Sequence, residues 1–316
     1  MDPNNIIASP RDPKFFDVTG AQFSWNSTSI KLAEECLYKY NLKVLQGWAP
    51  NNKNVHLKFG GWYASALESF HHYVAKGMDR EEAIIEVITT LMEETWEYEY
   101  DDNDQVIPES GTPWQSDHNT KTRENLIRTV VWYLDQFKDD PTATVILSDG
   151  SPAVEHTFLL PADDGIVFSG HLDRLVTYTG KIFVQDQKTT GSTITPRYFE
   201  GFSPDTQMSL YTFAGKAIFN EPVKGVIIDA AQIAVGFTRF ERGFTFRSDD
   251  QLDEWYDHTL AHIGRARRAT LDNHFPMTRT SCSNYGGCEF HHICSRAPSV
   301  REQFLKADFV KGKAWL

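Results

Sequence analysis

Asp186 and Lys188 stand two residues apart in a stretch of strand-like alternation, and Asp173 lies in the similar stretch just before it. Residues i and i+2 of a β-strand point to one face, so Asp186 and Lys188 would project together. A hairpin between the two stretches would bring Asp173 near Asp186. Two carboxylates so placed suit a hard divalent cation, Mg²⁺ or Mn²⁺, bound through oxygen. Such a cation polarises a phosphate and acidifies a bound water, and an ammonium group beside it offers positive charge to crowded phosphate oxygens. The chemistry that fits is phosphodiester hydrolysis. Alone, an Asp-x-Lys triplet is most often a solvent-facing ion pair, so its weight depends on its company.

The four cysteines form a second group. Cys282, Cys288 and Cys294 are separated by five residues each, while Cys36 lies far earlier. Structural disulfides are rare in reducing compartments, so an even set of four reads as a metal site. Four thiolates suit a 4Fe-4S cluster or a structural Zn²⁺, and unligated thiols are the third possibility. Gly286 and Gly287 would let the backbone turn tightly around a ligand. His291 and His292 become candidate ligands if the metal is zinc. In any ligated case the role is structural, because the link closes a very long loop.

The elements that must position these groups are legible as periodicities. Residues 29–45 predict a helix capped by Ser27, Thr28 or Ser29, with Ile30, Ala33, Leu37 and Tyr40 at helical spacing. A second helix follows Gly60 and Gly61 to about residue 75, and a third covers 79–97. Residues 98–121 are acidic and polar and read as a loop insertion. A helix over 123–137 precedes strands at 154–160, 166–177 and 181–188. Then come a helix over 204–219, strands at 226–235 and 238–246, and a helix over 249–271. This order predicts an α/β fold with a central mixed β-sheet flanked by helices. We expect one domain over 1–316: a helical part (17–140), a sheet core with helices (144–271), and a Cys-rich tail (273–316) joined to Cys36.

Composition bounds the rest. With 41% hydrophobic and 13% aromatic residues, the 316-residue chain can bury a core. No run approaches a membrane span, and residues 1–16, with Pro3, Pro10 and Pro13, lack a signal-peptide stretch. A cytoplasmic protein is expected. The net charge of -12 argues against a non-specific nucleic-acid binder. However, much of the acid lies within 93–104, and a carboxylate site is acidic until a cation fills it.

Taken together, the segments resemble the RecB-like branch of the PD-(D/E)XK nuclease superfamily, which includes the AddB nuclease domain, four-cysteine CRISPR-adaptation exonucleases and many phage exonucleases. The blocks that carry the resemblance are Ser29 to Tyr40 with Cys36, Gly60 to Glu68, Gly170 to Asp173 followed by Asp186-Gln187-Lys188, and Gln207 to Tyr211, with the final cysteines as a looser match. The resemblance implies a restriction-endonuclease-like core in which Asp173 and Asp186 bind metal, with the main-chain carbonyl of Gln187. It also implies that Lys188 is the catalytic lysine, and that Glu68 binds metal or orients its water. Gln207 and Tyr211, one helical turn apart, would support the site or contact DNA. The one-plus-three cysteine layout resembles the AddB iron–sulfur staple. Without the family, Glu68 would read as a solvated helix carboxylate, Gln207 as a surface residue and Tyr211 as core.

One departure is Ala64, which stands where the family's helix usually has a histidine; His71 and His72 follow Glu68 instead. His171 is expected on the face opposite Asp173, in a structural role. Arg265, Arg267 and Arg268, with Arg174, Lys188 and Arg197, could meet phosphates, and Trp62, Tyr63 and Phe202 could stack on bases. The expectation is a metal-dependent deoxyribonuclease acting on single-stranded or duplex DNA ends, as an exonuclease or flap enzyme in recombination, replication or repair, possible protein partners included. The alternative is a weakly active DNA-end-binding subunit that keeps the fold.

Overall fold

A computed structural model describes residues 15–312, apart from 52–53, 100, 102, 104, 108–109, 220–222 and 285–286. Pro3, Pro10, Pro13 and Gly286 therefore lie outside the described residues. Among the described residues, no helix is long and apolar enough to cross a membrane.

A short strand, β1 (Ser24–Trp25), leads into α1 (Ser27–Glu35). Its cap is Asn26 rather than one of the three residues after it. The Asn26 side chain accepts from the Ser29 amide, and the Ser29 hydroxyl closes the reciprocal capping box. The expected single helix over 29–45 is interrupted. Cys36 is extended, at φ -164° and ψ 115°, and the chain resumes as α2 (Leu37–Tyr40) and a π-helical turn over Asn41–Leu45. After β2 (Trp48–Pro50) comes α3 (Val55–Ala75), capped by Asn54. Gly60 and Gly61 lie inside this helix instead of preceding it. Asp79 caps α4 (Arg80–Glu94). The helix expected to reach residue 97 stops at Glu94, and the next residues form β3 (Trp96–Glu97), which pairs antiparallel with β4 (Thr112–Pro113) inside the segment read as a loop. Thr122 caps α5 (Arg123–Gln136).

The sheet then forms from β5 (Ala143–Thr144), β6 (Val154–Pro161), β7 (Val167–Tyr178) and β8 (Lys181–Thr190). Next are α6 (Pro196–Glu200), α7 (Thr206–Ile218), β9 (Val226–Ala234), β10 (Phe237–Thr245) and α8 (Asp249–Leu271). The tail holds α9 (His291–Cys294), α10 (Arg301–Asp308) and β11 (Phe309–Lys311). The main path of the sheet is β1-β7-β8-β9-β10, with β5 and β6 paired to β7. It is mixed, as expected: β6–β7, β7–β8 and β9–β10 are antiparallel, while β1–β7 and β8–β9 are parallel.

Helices cover both faces. One apolar cluster packs α1, α7 and α8 on the sheet around Ile30, Phe168, Val184, Met208 and Ile263. The other packs α3, α4 and α5 around Phe59, Leu67, Val87, Val130 and Phe240. Fully burying side chains of this size stabilises the fold by about 1.5–3 kcal/mol each. A separate cluster joins Leu42 and Trp48 to Phe290, Ile293, Leu305 and Phe309, and β2 pairs with β11. The tail is thus fastened to the start of the chain by ordinary packing and ladder hydrogen bonds.

Candidate active site

The β7–β8 ladder runs from Tyr178↔Lys181 to Arg174↔Gln185 and stops there. Beyond that point β8 continues in parallel with β9, through Thr190↔Gln232, while β7 stays with β6. Continuing the register by one step sets Asp173 opposite Asp186 at the mouth of this splay. The Gln187 amide, no longer used by the β7–β8 ladder, donates to Asp173 Oδ2 at 3.1 Å. Lys188 Nζ lies 2.5 Å from Asp186 Oδ2. Alternation along β8 places Asp186 and Lys188 together, so Asp173, Asp186 and Lys188 converge.

Two helices complete the surroundings. From α7, the Gln207 amide donates to the Tyr211 hydroxyl at 3.0 Å, and Tyr211 lies within the electrostatic reach of Asp173 and Asp186. From α3, Glu68 approaches Asp173. Helix α3 lies close to β8 at Gly60, where a Cβ would come within van der Waals contact of Thr189 Oγ1, at 3.4 Å.

The electrostatics are those of crowded acids. Burial, then Glu155 and Asp173, push the Glu68 carboxyl up to about 9. Burial, then Asp186, raise Asp173 to about 7, against the opposing pull of Lys188 and the Gln187 amide. Asp186 is 1% exposed, and burial raises it as well, despite Lys188. Lys188 is raised because Asp186 and Asp173 outweigh its own burial. Asp186 Oδ1 is buried with no hydrogen-bond partner among the described residues, which normally costs about 1–3 kcal/mol or more for a charged group. An all-oxygen donor set with an orphaned carboxylate atom fits a hard cation. Among the described residues, no three His, Cys, Asp or Glu side chains already stand at metal-ligand spacing.

Three features escaped sequence reasoning. Glu155, on β6, joins the site: its carboxyl lies within hydrogen-bonding reach of Glu68. His171 lies on the same side, not the opposite one. Its Nδ1 is 2.9 Å from Thr157 Oγ1 and 3.9 Å from Glu155 Oε2, as follows from residues 171 and 173 sharing a strand face. The third is a buried polar network beneath the other face of β8. Asp229 Oδ2 accepts from Tyr133 Oη at 2.6 Å, Arg242 Nε at 2.8 Å and Gln185 Nε2. Arg242 also grips both oxygens of Asp140, at 2.6 and 2.8 Å, and Arg174 donates to Gln185 at 3.0 Å. The Gln187 side chain reaches Tyr133 Oη at 3.4 Å, so the peptide that meets Asp173 is anchored from below.

Several expected contacts are relocated. Arg174 is buried in that network and is not on a DNA-facing surface. His71 lies against Arg174, 3.3 Å away. Tyr63 is buried and unavailable to stack, and Phe202 packs against the core. Trp62 is partly buried edge-on to Trp114. Arg267 is engaged by the Asp164 carbonyl at 2.9 Å, whereas Arg265 and Arg268 line a depression with His274. A cavity of about 560 Å³ lies beside the acids rather than among them, between the N-terminus of α7 and α8. Asp205 borders it and holds Lys31 at 2.7 Å.

The four cysteines border a shared cavity, and among the described residues no three of them stand at metal-ligand spacing. Cys36, Cys282, Cys288 and Cys294 line one cavity of about 310 Å³ with Thr278, Phe290 and His291. The break at Cys36 is what turns this part of the chain toward the tail: the Thr278 amide donates to Cys36 Sγ at 3.3 Å, and Ser281 Oγ donates to the Glu35 carbonyl at 3.0 Å. Lys43 and Glu289 add an ion pair at 2.7 Å. Burial raises the Cys288 thiol and pushes Cys294 up to about 11. His292 is turned to Asp308, at 3.1 Å, while His291 borders the thiols.

A family profile described as the PD-(D/E)XK nuclease superfamily matches residues 24–295. No curated protein sequence matches the chain. Among solved structures, the chain is similar to a crystal structure of a protein from Eubacterium rectale provisionally named an exonuclease. The identity is 10%, over 87% of this chain and 89% of that one, with a TM-score of 0.48.

Proposed function

The chain belongs to the PD-(D/E)XK nuclease superfamily, and from that premise we propose that it is a divalent-metal-dependent deoxyribonuclease that trims DNA ends or flaps in the cytoplasm. The observation that carries this reading is the meeting of Asp173, Asp186 and Lys188 at the splay of β7 and β8. Glu68, Asp173 and Asp186, with the Gln187 carbonyl, would hold Mg²⁺ or Mn²⁺. When bound, the cation supplies charge that polarises the phosphate and acidifies water.

The chain's own groups supply the rest. Lys188 carries a fixed ammonium, kept protonated by Asp186 and Asp173, where phosphate oxygens gather negative charge. The Tyr211 hydroxyl accepts from Gln207, which leaves its proton to donate to a carboxylate or a phosphate oxygen. The Gln187 amide holds Asp173 in orientation. Ala64, which offers no ligand where the family's helix usually has a histidine, and the spacing of the acids favour a second reading, a DNA-end-binding subunit with little activity.

We further propose that Cys36, Cys282, Cys288 and Cys294, which line one cavity, would hold a structural 4Fe-4S cluster, with Zn²⁺ as the alternative. Its role would be to join tail and first helix, away from the chemistry.

The test is digestion of single-stranded, duplex and flapped DNA labelled at each end, with Mg²⁺ or Mn²⁺. Metal-stimulated cleavage that disappears in Lys188→Ala and Asp186→Ala is the expected result. Cleavage surviving both substitutions would show that the site is elsewhere, and DNA binding without cleavage under either metal would favour the second reading.

A further inference from the structure

Glu155 stands where a strand residue would not be expected to hold an acid against acids. The β6–β7 register pairs Val154 with Arg174 and His156 with Leu172, so Glu155 falls opposite Asp173. Continuing across the sheet, Asp173 in turn falls opposite Asp186. Neither pair is itself laddered, but the flanking registers align the three carboxylates across adjacent strands, and Glu68 of α3 comes within hydrogen-bonding reach of Glu155. At Glu155 the backbone has φ +50°, in the left-handed region that glutamate rarely adopts.

An acidic row alone would be only a repulsive surface. The independent observation is at its other end: Asp186, 1% exposed and electrostatically linked to Asp173, has a buried carboxylate oxygen with no hydrogen-bond partner among the described residues. Glu68, Asp173 and Glu155 influence one another electrostatically, Asp173 is likewise raised by Asp186, and Lys188 Nζ lies 2.5 Å from Asp186 Oδ2; Glu155 stands at the exposed edge of this group. His171 Nδ1 lies 3.9 Å from Glu155 Oε2 and can steady that carboxylate.

We propose that Glu155 is a ligand of the divalent cation in this site, a donor additional to Glu68, Asp173, Asp186 and the Gln187 carbonyl. The inference rests on the metal-dependent reading above. Hard divalent cations accept several carboxylate oxygens, and Glu155 reaches the acids from the strand flank, opposite Asp186. Because Ala64, one helical turn before Glu68, offers a methyl group and no donor, β6 supplies what α3 does not.

The experiment is calorimetric titration of the full chain with Mn²⁺ alone, using wild type, Glu155→Gln, Glu155→Asn and Asp186→Ala. Asparagine tolerates the left-handed backbone, so Glu155→Asn guards against a failure of folding. Melting in chelator is measured in parallel. Both Glu155 variants are expected to bind Mn²⁺ at least about tenfold more weakly and to melt in chelator no earlier than wild type, because a crowded charge has been removed. Wild-type affinity in both Glu155 variants, with loss in Asp186→Ala, would overturn this proposal alone. Undiminished affinity in Asp186→Ala, or no binding by wild type, would overturn the metal site itself. Earlier melting of both Glu155 variants in chelator would assign Glu155 a structural role through His171 and likewise overturn the proposal.

Discussion

The main-chain amide of Gln187 donates to the carboxylate of Asp173 across the gap where β7 and β8 part, at 3.1 Å. A ladder hydrogen bond is thus replaced by a hydrogen bond to an acid, and the same peptide presents its side chain to Tyr133 on the opposite face. The site is therefore built at a place where the sheet stops being regular, and its parts can be tested separately.

Lys188→Ala is expected to separate binding from turnover. In the proposed mechanism the ammonium beside Asp186 would supply charge to the transition state, and losses of such a group typically cost about 10²–10³ in kcat. Mn²⁺ affinity should be retained or rise, because a competing positive charge is gone. Single-turnover cleavage alongside a Mn²⁺ titration checks both halves; parallel loss of binding would count against this role.

Stability of the metal-free protein should fall as the medium becomes more alkaline. Glu68 and Asp173 are raised to about 9 and about 7 in the folded state, so the fold binds more protons than the unfolded chain between their ordinary range and those values. Their contribution is fully present below about pH 4, the unfolded carboxylate range, and is lost as pH rises through about 7 and then 9. Melting in chelator at pH 6 and at pH 9 should show the drop, and Glu68→Gln should flatten it.

The network beneath β8 is expected to be a stability element. Asp229 accepts from Tyr133, Arg242 and Gln185 at once while fully buried. Asp229→Ala would leave Arg242 half-paired, although Asp140 retains it. Breaking a buried charge pair costs about 3–5 kcal/mol, and urea unfolding should register a loss of that order. A loss under about 1 kcal/mol, the scale of a surface pair, would show the network to be dispensable.

Anaerobically purified protein is expected to be brown with broad visible absorbance from a cysteine-ligated cluster, and Cys282→Ser should bleach it. Colourless protein with one equivalent of zinc would replace iron–sulfur by the Zn²⁺ alternative. In either case the loss of stability on chelation should fall below the roughly 5 kcal/mol of a long loop closed by a single link. The reason is that β2–β11 pairing and the Leu42–Phe290 cluster already hold the two ends together.

Most of the fold was legible because it obeys local periodicity. Helix α8 spans the residues its pattern predicts, and β6 through β10 lie within two residues of their expected ends. The convergence of Asp173, Asp186 and Lys188 could be read from strand alternation plus one hairpin. The kink at Cys36 could not: Ile30, Ala33, Leu37 and Tyr40 keep helical spacing through it, and only tail contacts show why the helix opens. Glu155 carries no motif, and its relevance depends on a register between β6 and β7 that spacing does not encode. The Asp140, Tyr133, Asp229 and Arg242 network joins residues about 100 apart, beyond any local signal. His171 was within reach, since two residues along a strand return to the same side.

The docking of the tail against the first helices has a consequence for biosynthesis. Between Cys36 and Thr278 the chain runs 242 residues, which at ribosomal speeds of about 5–20 residues per second corresponds to roughly 10–50 s. Throughout that interval a nascent chain displays Leu42 and Trp48 without the Phe290, Ile293 and Phe309 surface that later covers them. That apolar corner is covered only when the tail has emerged, so its concealment is among the last events of synthesis.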